Sequence, residues 1–303
     1  MTPVSTVMDN TDPEYTEGVE SAEGAQGAEG SESAGWGEGA GTLAPRVGPL
    51  DGIRQTFSLA WRTLVQIRHN PVELIDFSIQ PVMFLLLFTY VFGGAIGGSP
   101  HAYLMFALPG IIVQNSLFTT LNTATGLSTD LKEGFFDRLR SLPIARFAPL
   151  AGRILADIAK QAWAVAMLLA IGAILGFRFG AGAGRPLGAL AAFALVLVCT
   201  LAISWALVLV SMLAANPEKV QIFGFVVLFP LTFTSDAFVR TASMPGWLQA
   251  WSKANPVSIL SDAMRGLLVS GPAARPVAES LLYAAAFTLV FAPLAVRAFK
   301  RRA

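Results

Sequence analysis

The sequence predicts an all-α membrane protein: six transmembrane helices, preceded by an amphipathic helix at the membrane surface, with a re-entrant segment between the fifth and sixth. Three observations predict it. Of 303 residues, 54% are hydrophobic and 14% charged, whereas a soluble domain carries about 25% charged residues. Charge is excluded from long stretches, because residues 77–129 and 186–217 contain no Asp, Glu, Lys or Arg. Gly- and Pro-rich turns divide these apolar stretches into lengths that suit spans of roughly 20 residues.

Residues 1–45 stand apart. They hold nine acidic residues, from Asp9 to Glu38, and no Lys or Arg, leaving 21 basic against 11 acidic residues in 46–303. Gly, Ala, Ser and Glu dominate, too little apolar surface to offset chain entropy, so a disordered acidic leader is expected over 1–45 and one transmembrane domain over 46–303. No basic start leads into an apolar core, so no cleaved signal peptide is expected. Over 50–69, Leu50, Ile53, Phe57, Trp61 and Leu64 recur at three- or four-residue spacing with Arg54 and Arg62 opposite, the pattern of a basic helix lying in the headgroup layer. His69-Asn70-Pro71 then bends the chain.

The uncharged run 77–129 is too long for one span and right for two. Spans one and two are placed at about 74–93 and 102–128, with the Gly- and Pro-containing segment 93–100 as the turn. A charged segment follows over 129–160. Span three is placed at about 154–177, span four at 187–213 after a glycine-rich turn, and span five at 220–238 after Asn216-Pro217-Glu218-Lys219. Pro245, Trp247, Trp251 and Pro256 give 240–273 an interfacial character, so short helices dipping into the boundary are expected there. Span six covers about 276–297. Fifteen Lys and Arg fall on the side of both termini and the 129–153 loop, six on the other. That asymmetry puts both termini in the cytoplasm of a multi-pass plasma-membrane protein.

Several chemistries find no residues to carry them. No glycine precedes a lysine, so the Gly-Lys-Ser/Thr phosphate loop is missing. The histidines, His69 and His101, fall on opposite sides of the predicted membrane, and Cys199 is the single cysteine, so no metal site is expected. No Gly-x-Ser-x-Gly elbow and no deep carboxylate pair appears, so no catalytic residue is assigned, the chain is not expected to be an enzyme, and no nucleic-acid partner is expected. An ion-coupled carrier usually keeps an ionisable group near mid-membrane despite its cost. The predicted spans hold none at their centres, so the energy for any transport would come from elsewhere.

Residues 130–144, Asp130-Leu131-Lys132-Glu133-Gly134-Phe135-Phe136-Asp137-Arg138-Leu139-Arg140-Ser141-Leu142-Pro143-Ile144, resemble the corresponding loop of ABC-2 type permeases, most closely the drug-export branch of the daunorubicin-resistance type. Leu108-Pro109-Gly110-Ile111, Asn255-Pro256-Val257 and Arg265 also fit, and the likeness covers about residues 50–300. The acidic leader departs from the family pattern. The resemblance implies that the 130–144 loop is a coupling helix docking on a separate ABC ATPase subunit, which would bind ATP and Mg; this chain would bind no cofactor. Glu133, Phe135, Phe136, Asp137, Arg138 and Arg140 are the candidate coupling residues. Buried aromatics anchor such contacts, and charges set their register. The resemblance further implies a second permease copy, expected as a homodimer with two ATPases in the membrane lipid. The cargo would be an amphipathic drug, natural product or lipid exported outward.

Within span two, Asn115, Thr119 and Asn122 recur at i, i+4 and i+7, with Ser116, Thr120 and Thr123 beside them; helical spacing puts all six on one face. Two readings stay open: hydrogen-bonded helix packing, or one wall of a translocation path. On the second, Asn115, Thr119 and Asn122 face the path with Phe118 and Phe225 as apolar contacts, and spans two and five line it, as the resemblance implies. A non-transporting membrane scaffold or assembly factor is the alternative from another class.

Overall fold

The computed structural model describes residues 71–134, 148–180, 185–214, 216–269 and 271–302. The acidic leader and the expected surface helix over 50–69 lie outside these residues. Every regular element among the described residues is helical. Helix α1 (Pro71–Leu87) passes through a π turn (Phe88–Phe92) into α2 (Gly93–Gly97). Then come α3 (Pro100–Lys132), α4 (Ala148–Ile174), α5 (Arg185–Leu213) and α6 (Pro217–Phe233). A 3-10 turn (Thr241–Ser243) leads to α7 (Gly246–Ala254), α8 (Pro256–Leu268) and α9 (Ala274–Arg302). Five stretches are long and apolar enough to cross a membrane: Ser78–Gly97, Pro100–Lys132, Gly152–Ile174, Pro186–Leu213 and Ala274–Ala298. Helix α6, expected as span five, has 17 residues, at the short end of the range of about 17–25 for a span.

Two expected boundaries shift. The turn expected over 93–100 contracts to Gly98, whose φ is 73°, and Ser99. Gly93 and Gly97 stay helical because they pack rather than turn; a Cβ at Gly97 would lie 2.5 Å from that of Tyr103. Ser99 caps α3 by accepting from the Ala102 N–H at 3.2 Å, with Pro100 in the first helical position. Helix α6, expected as span five, ends at Phe233 rather than near 238. Side chains take up the carbonyls at its end: Thr234 Oγ1 donates to Pro230 O at 2.7 Å and Asn255 Nδ2 to Leu231 O at 2.7 Å. Pro230 itself is accommodated inside the helix. The segment expected to form short helices does so as α7 and α8.

Helix α3 is the axis of the fold. Inside the protein, 78% of its most apolar stretch is buried, against 11–44% for the other four spans. Leu104, Leu108, Ile111, Ile112 and Leu117 of α3 form the core with Leu168 of α4, Val196 of α5, Leu228 of α6 and Met264 of α8. A smaller cluster at the other end joins Leu127 to Ile154, Met212 and Ala295. The outward faces of α1, α6 and α9 carry exposed Met83, Val226, Leu282 and Leu289, as hydrocarbon solvation requires.

Gly110 lets the turn after α6 rest directly on α3; a Cβ there would fall 2.2 Å from Ala237 O. Backbone cannot rotate away, so Gly110→Ala should destabilise the protein by about 1–3 kcal/mol. Gly94→Ala, which meets nothing within 4 Å, is the control. Thermal melting in detergent should separate the two.

Candidate functional site

Asn115, Phe118, Thr119 and Asn122 of α3 line one cavity of about 320 Å³ with Gln80 and Phe84 of α1 and Phe225 and Phe229 of α6. The structure therefore brings together all five side chains that the sequence singled out on spans two and five. The expectation that six polar residues share a face is corrected. Ser116, Thr120 and Thr123 turn into the bundle and donate to Ile112 O, Leu117 O and Thr119 O at 2.8, 2.6 and 3.2 Å. Ser116 also accepts from Gln161 Nε2 of α4 at 2.6 Å. One residue along a helix is a rotation of about 100°, enough to split the two stripes. Thr119 likewise bonds Asn115 O at 2.9 Å, whereas Asn115 Nδ2 is buried with no partner. Gln80 and Gln114, both on the cavity wall, were missed; their signal was an amide inside a chargeless run.

An aromatic column extends from the cavity. The Phe118 and Phe225 rings lie 6.0 Å apart, and Phe225, Phe229 and Phe233 stack at i, i+4 and i+8 with centroids 5.2 and 4.4 Å apart. Phe238 continues the column 5.2 Å from Phe233 and 4.7 Å from Phe88. Phe225, Phe229 and Phe233 are 40–49% exposed, so the column is an open wall.

At the end of the fold away from Lys132 and Ala148, Arg265 clamps three segments. Its Nε donates to Phe106 O at 3.2 Å, Nη1 to Asp236 Oδ2 at 2.8 Å and Asp262 Oδ1 at 2.9 Å, and Nη2 to Asp236 O at 2.7 Å. The guanidinium lies over the Phe106 ring, 4.0 Å from its centre. Asn255 starts α8, accepting from the Val257 N–H at 2.9 Å while it holds Leu231 O. At the opposite end, Arg153 of α4 pairs with Asp130 of α3, with Asp157 at 3.9 Å, and its guanidinium lies against Gly126. These charges flank the loop expected to couple to an ATPase. Glu133 ends α3, its N–H donating to Thr129 O at 2.9 Å; Phe135, Phe136, Asp137, Arg138 and Arg140 lie outside the described residues. No group of three or more potential metal ligands occurs among the described residues.

The family model for ABC-2 type transporters matches residues 54–269. The chain belongs to the ABC-2 type transporter family. It is 38% identical to the daunorubicin resistance ABC transporter permease protein DrrB1 of Streptomyces coeruleorubidus over 250 residues, 82% of this chain and 87% of the relative. It is 26% identical to the probable doxorubicin resistance ABC transporter permease protein DrrC of Mycobacterium tuberculosis over 80% of this chain and 88% of the relative. To the putative transport permease ycf38 of Cyanophora paradoxa it is 28% identical, over 71% and 74% of the two chains. Within this ABC-2 permease, Gly110 and Arg265 both meet Ala237 in the turn after α6, while Asn255 holds the end of α6 at Leu231 O.

Burial raises the Asp236 carboxyl from the usual 3.8 to about 7; Arg265 opposes the rise and Asp262 adds to it. The folded state therefore holds this proton more tightly than the unfolded chain. The associated stability is fully present below about pH 4 and is lost as pH climbs through about 7. Melting temperature in detergent should fall between about pH 5 and 8, and Asp236→Asn should flatten that slope whatever it does to the absolute value. An unchanged slope would assign the pH dependence to other groups.

Proposed function

We propose that this permease is the membrane-spanning subunit of an exporter that moves an amphipathic, largely apolar compound outward across the plasma membrane. The energy comes from ATP and Mg bound to a separate ATPase chain. The observation that carries the reading is the α1–α3–α6 cavity. Amides and phenylalanines line it, no ionisable side chain does, and an aromatic column leads from it along α6. Such a wall suits a molecule with a broad apolar face and a few hydrogen-bonding groups. Gln80 and Asn122 are exposed on this side; amides at that depth avoid lipid, which favours a second copy of the permease across the groove. In this reading α6 is the fifth of six spans, α7 and α8 form the re-entrant segment on the outer face, and both termini are cytoplasmic. Relatives named for daunorubicin and doxorubicin resistance support a drug or natural product as cargo.

Purified with its ATPase and reconstituted, the permease should show hydrolysis stimulated by its cargo; a scaffold would leave hydrolysis unchanged. Asn115→Leu and Asn122→Leu should each reorder the ranking of stimulating compounds while changing stability by no more than about 0.6–2 kcal/mol. A stability change with the ranking intact would assign the stripe to helix packing.

The loop carries a separate expectation. Phe136→Asp places an unpaired charge where an aromatic anchor would seat on the ATPase. The variant should insert normally yet retain less ATPase on affinity purification, and undiminished retention with normal export would remove the loop from coupling.

A further inference from the structure

A second cavity, of about 200 Å³, lies on the other side of α6. Its walls come from α3, α5, α6, α8 and α9, and include Leu117, Cys199, Ala206, Leu260 and Phe287. Val227 of α6 and Tyr283 of α9 form its lips and are 46% and 37% exposed, so it opens sideways rather than toward the first cavity. The lining is hydrocarbon except for Ser280, Tyr283 and Cys199. An apolar space of this kind excludes water, which needs two to four polar partners.

Ser280 is the informative residue. It is 3% exposed and its Oγ has no hydrogen-bond partner. The two hydroxyls of the facing helix nearest the slot behave otherwise, Thr200 donating to Val196 O at 2.7 Å and Ser204 to Thr200 O at 2.8 Å, although Ser211 further along is also buried without a partner. A buried hydroxyl left unpaired is costly, and this one stands on the wall of an apolar slot.

The same stripe of α9 reaches a polar cavity of about 240 Å³. Pro276 and Glu279 line it, one turn before Ser280 and Tyr283, together with Lys253, Asp262 and Arg275. Arg275 Nε donates to Glu279 Oε1 at 2.8 Å, and Asp262 pairs with Arg265. Two cations, Lys253 and Arg275, and three carboxylates, Asp236, Asp262 and Glu279, therefore line this space, one turn from an uncharged hydroxyl and then hydrocarbon. That sequence of chemistries matches a zwitterionic diacyl phospholipid from headgroup to ester to chain.

We propose that this groove along α9 is a binding site for one phospholipid of the adjacent leaflet, distinct from the α1–α3–α6 cavity. One acyl chain fills the apolar slot, Ser280 donates to an ester carbonyl, and the headgroup lies between Lys253, Arg275 and the carboxylates. The orientation proposed above makes this the outer leaflet; the site itself does not depend on the export reading.

The full chain in nanodiscs doped with a phosphatidylethanolamine bearing a diazirine in one acyl chain tests the site, and mass spectrometry reads the cross-linked peptides without ATPase or transport. Cross-links are expected at the slot residues Cys199, Ala206 and Leu260. Ala206→Phe should reduce them about tenfold or more, because shutting out even two methylene groups changes affinity by that factor. Ser280→Ala, which leaves the volume unchanged, should reduce them roughly fivefold, the worth of one hydrogen bond. Melting curves identify either variant if it fails to fold, and the other then decides. Cross-links confined to the outward-facing Leu281 and Leu289, or slot cross-links unaffected by a folded variant, would overturn the proposal.

Discussion

A buried guanidinium constrains one end of this bundle. The Arg265 side chain is 14% exposed, and a cation in that position must have its N–H groups satisfied by protein. Its acceptors come from α3, from the turn after α6 and from its own helix. The turn can reach Arg265 only because Gly110 permits backbone contact. The α6 terminus can stop at Phe233 only because Asn255 and the hydroxyls beyond it take the freed carbonyls. Removing one acceptor would leave charge with fewer partners in a place that water does not easily reach.

That anchoring explains how α6 can show an aromatic wall. The helix is divided lengthwise. Val220, Gly224, Leu228 and Thr232 form a narrow buried strip against α3, while Phe225, Phe229 and Phe233 stand one residue further round. Gly224, where a Cβ would fall 2.2 Å from Leu121 Cδ1, lets α6 sit close to α3, and the large rings project past the contact. Fixed at one end by the clamp and along its length by this strip, α6 holds the column in place without burying it.

Much of this was legible in the sequence, because lipid leaves little freedom. The absence of charge over 77–129 and 186–217 located the spans to within a few residues, and the spacing of Asn115, Thr119 and Asn122 identified one cavity wall. What escaped depends on pairing across the chain. Nothing local distinguishes Gly97, which packs on Tyr103, from Gly98, which turns. Ser116 sits beside Asn115 in sequence, and only its partner Gln161, 45 residues away, separates it from the cavity. Arg265 was recognisable by resemblance, but its bond to Phe106 O spans 159 positions.

The pairing of Asp130 with Arg153 places each charge near the less favourable end of its own helix. An acid in the last turn of α3 faces the negative pole of that helix, and a base near the start of α4 faces a positive one. Asp157, one turn further along α4, supports the base as well. Gly126 accommodates the guanidinium that joins them. Three positions on two helices thus form a single heritable unit. A lineage that lost one charge would gain by losing or reversing the other, so substitutions at 130 and 153 should arrive together and leave a correlated trace among descendants of this permease.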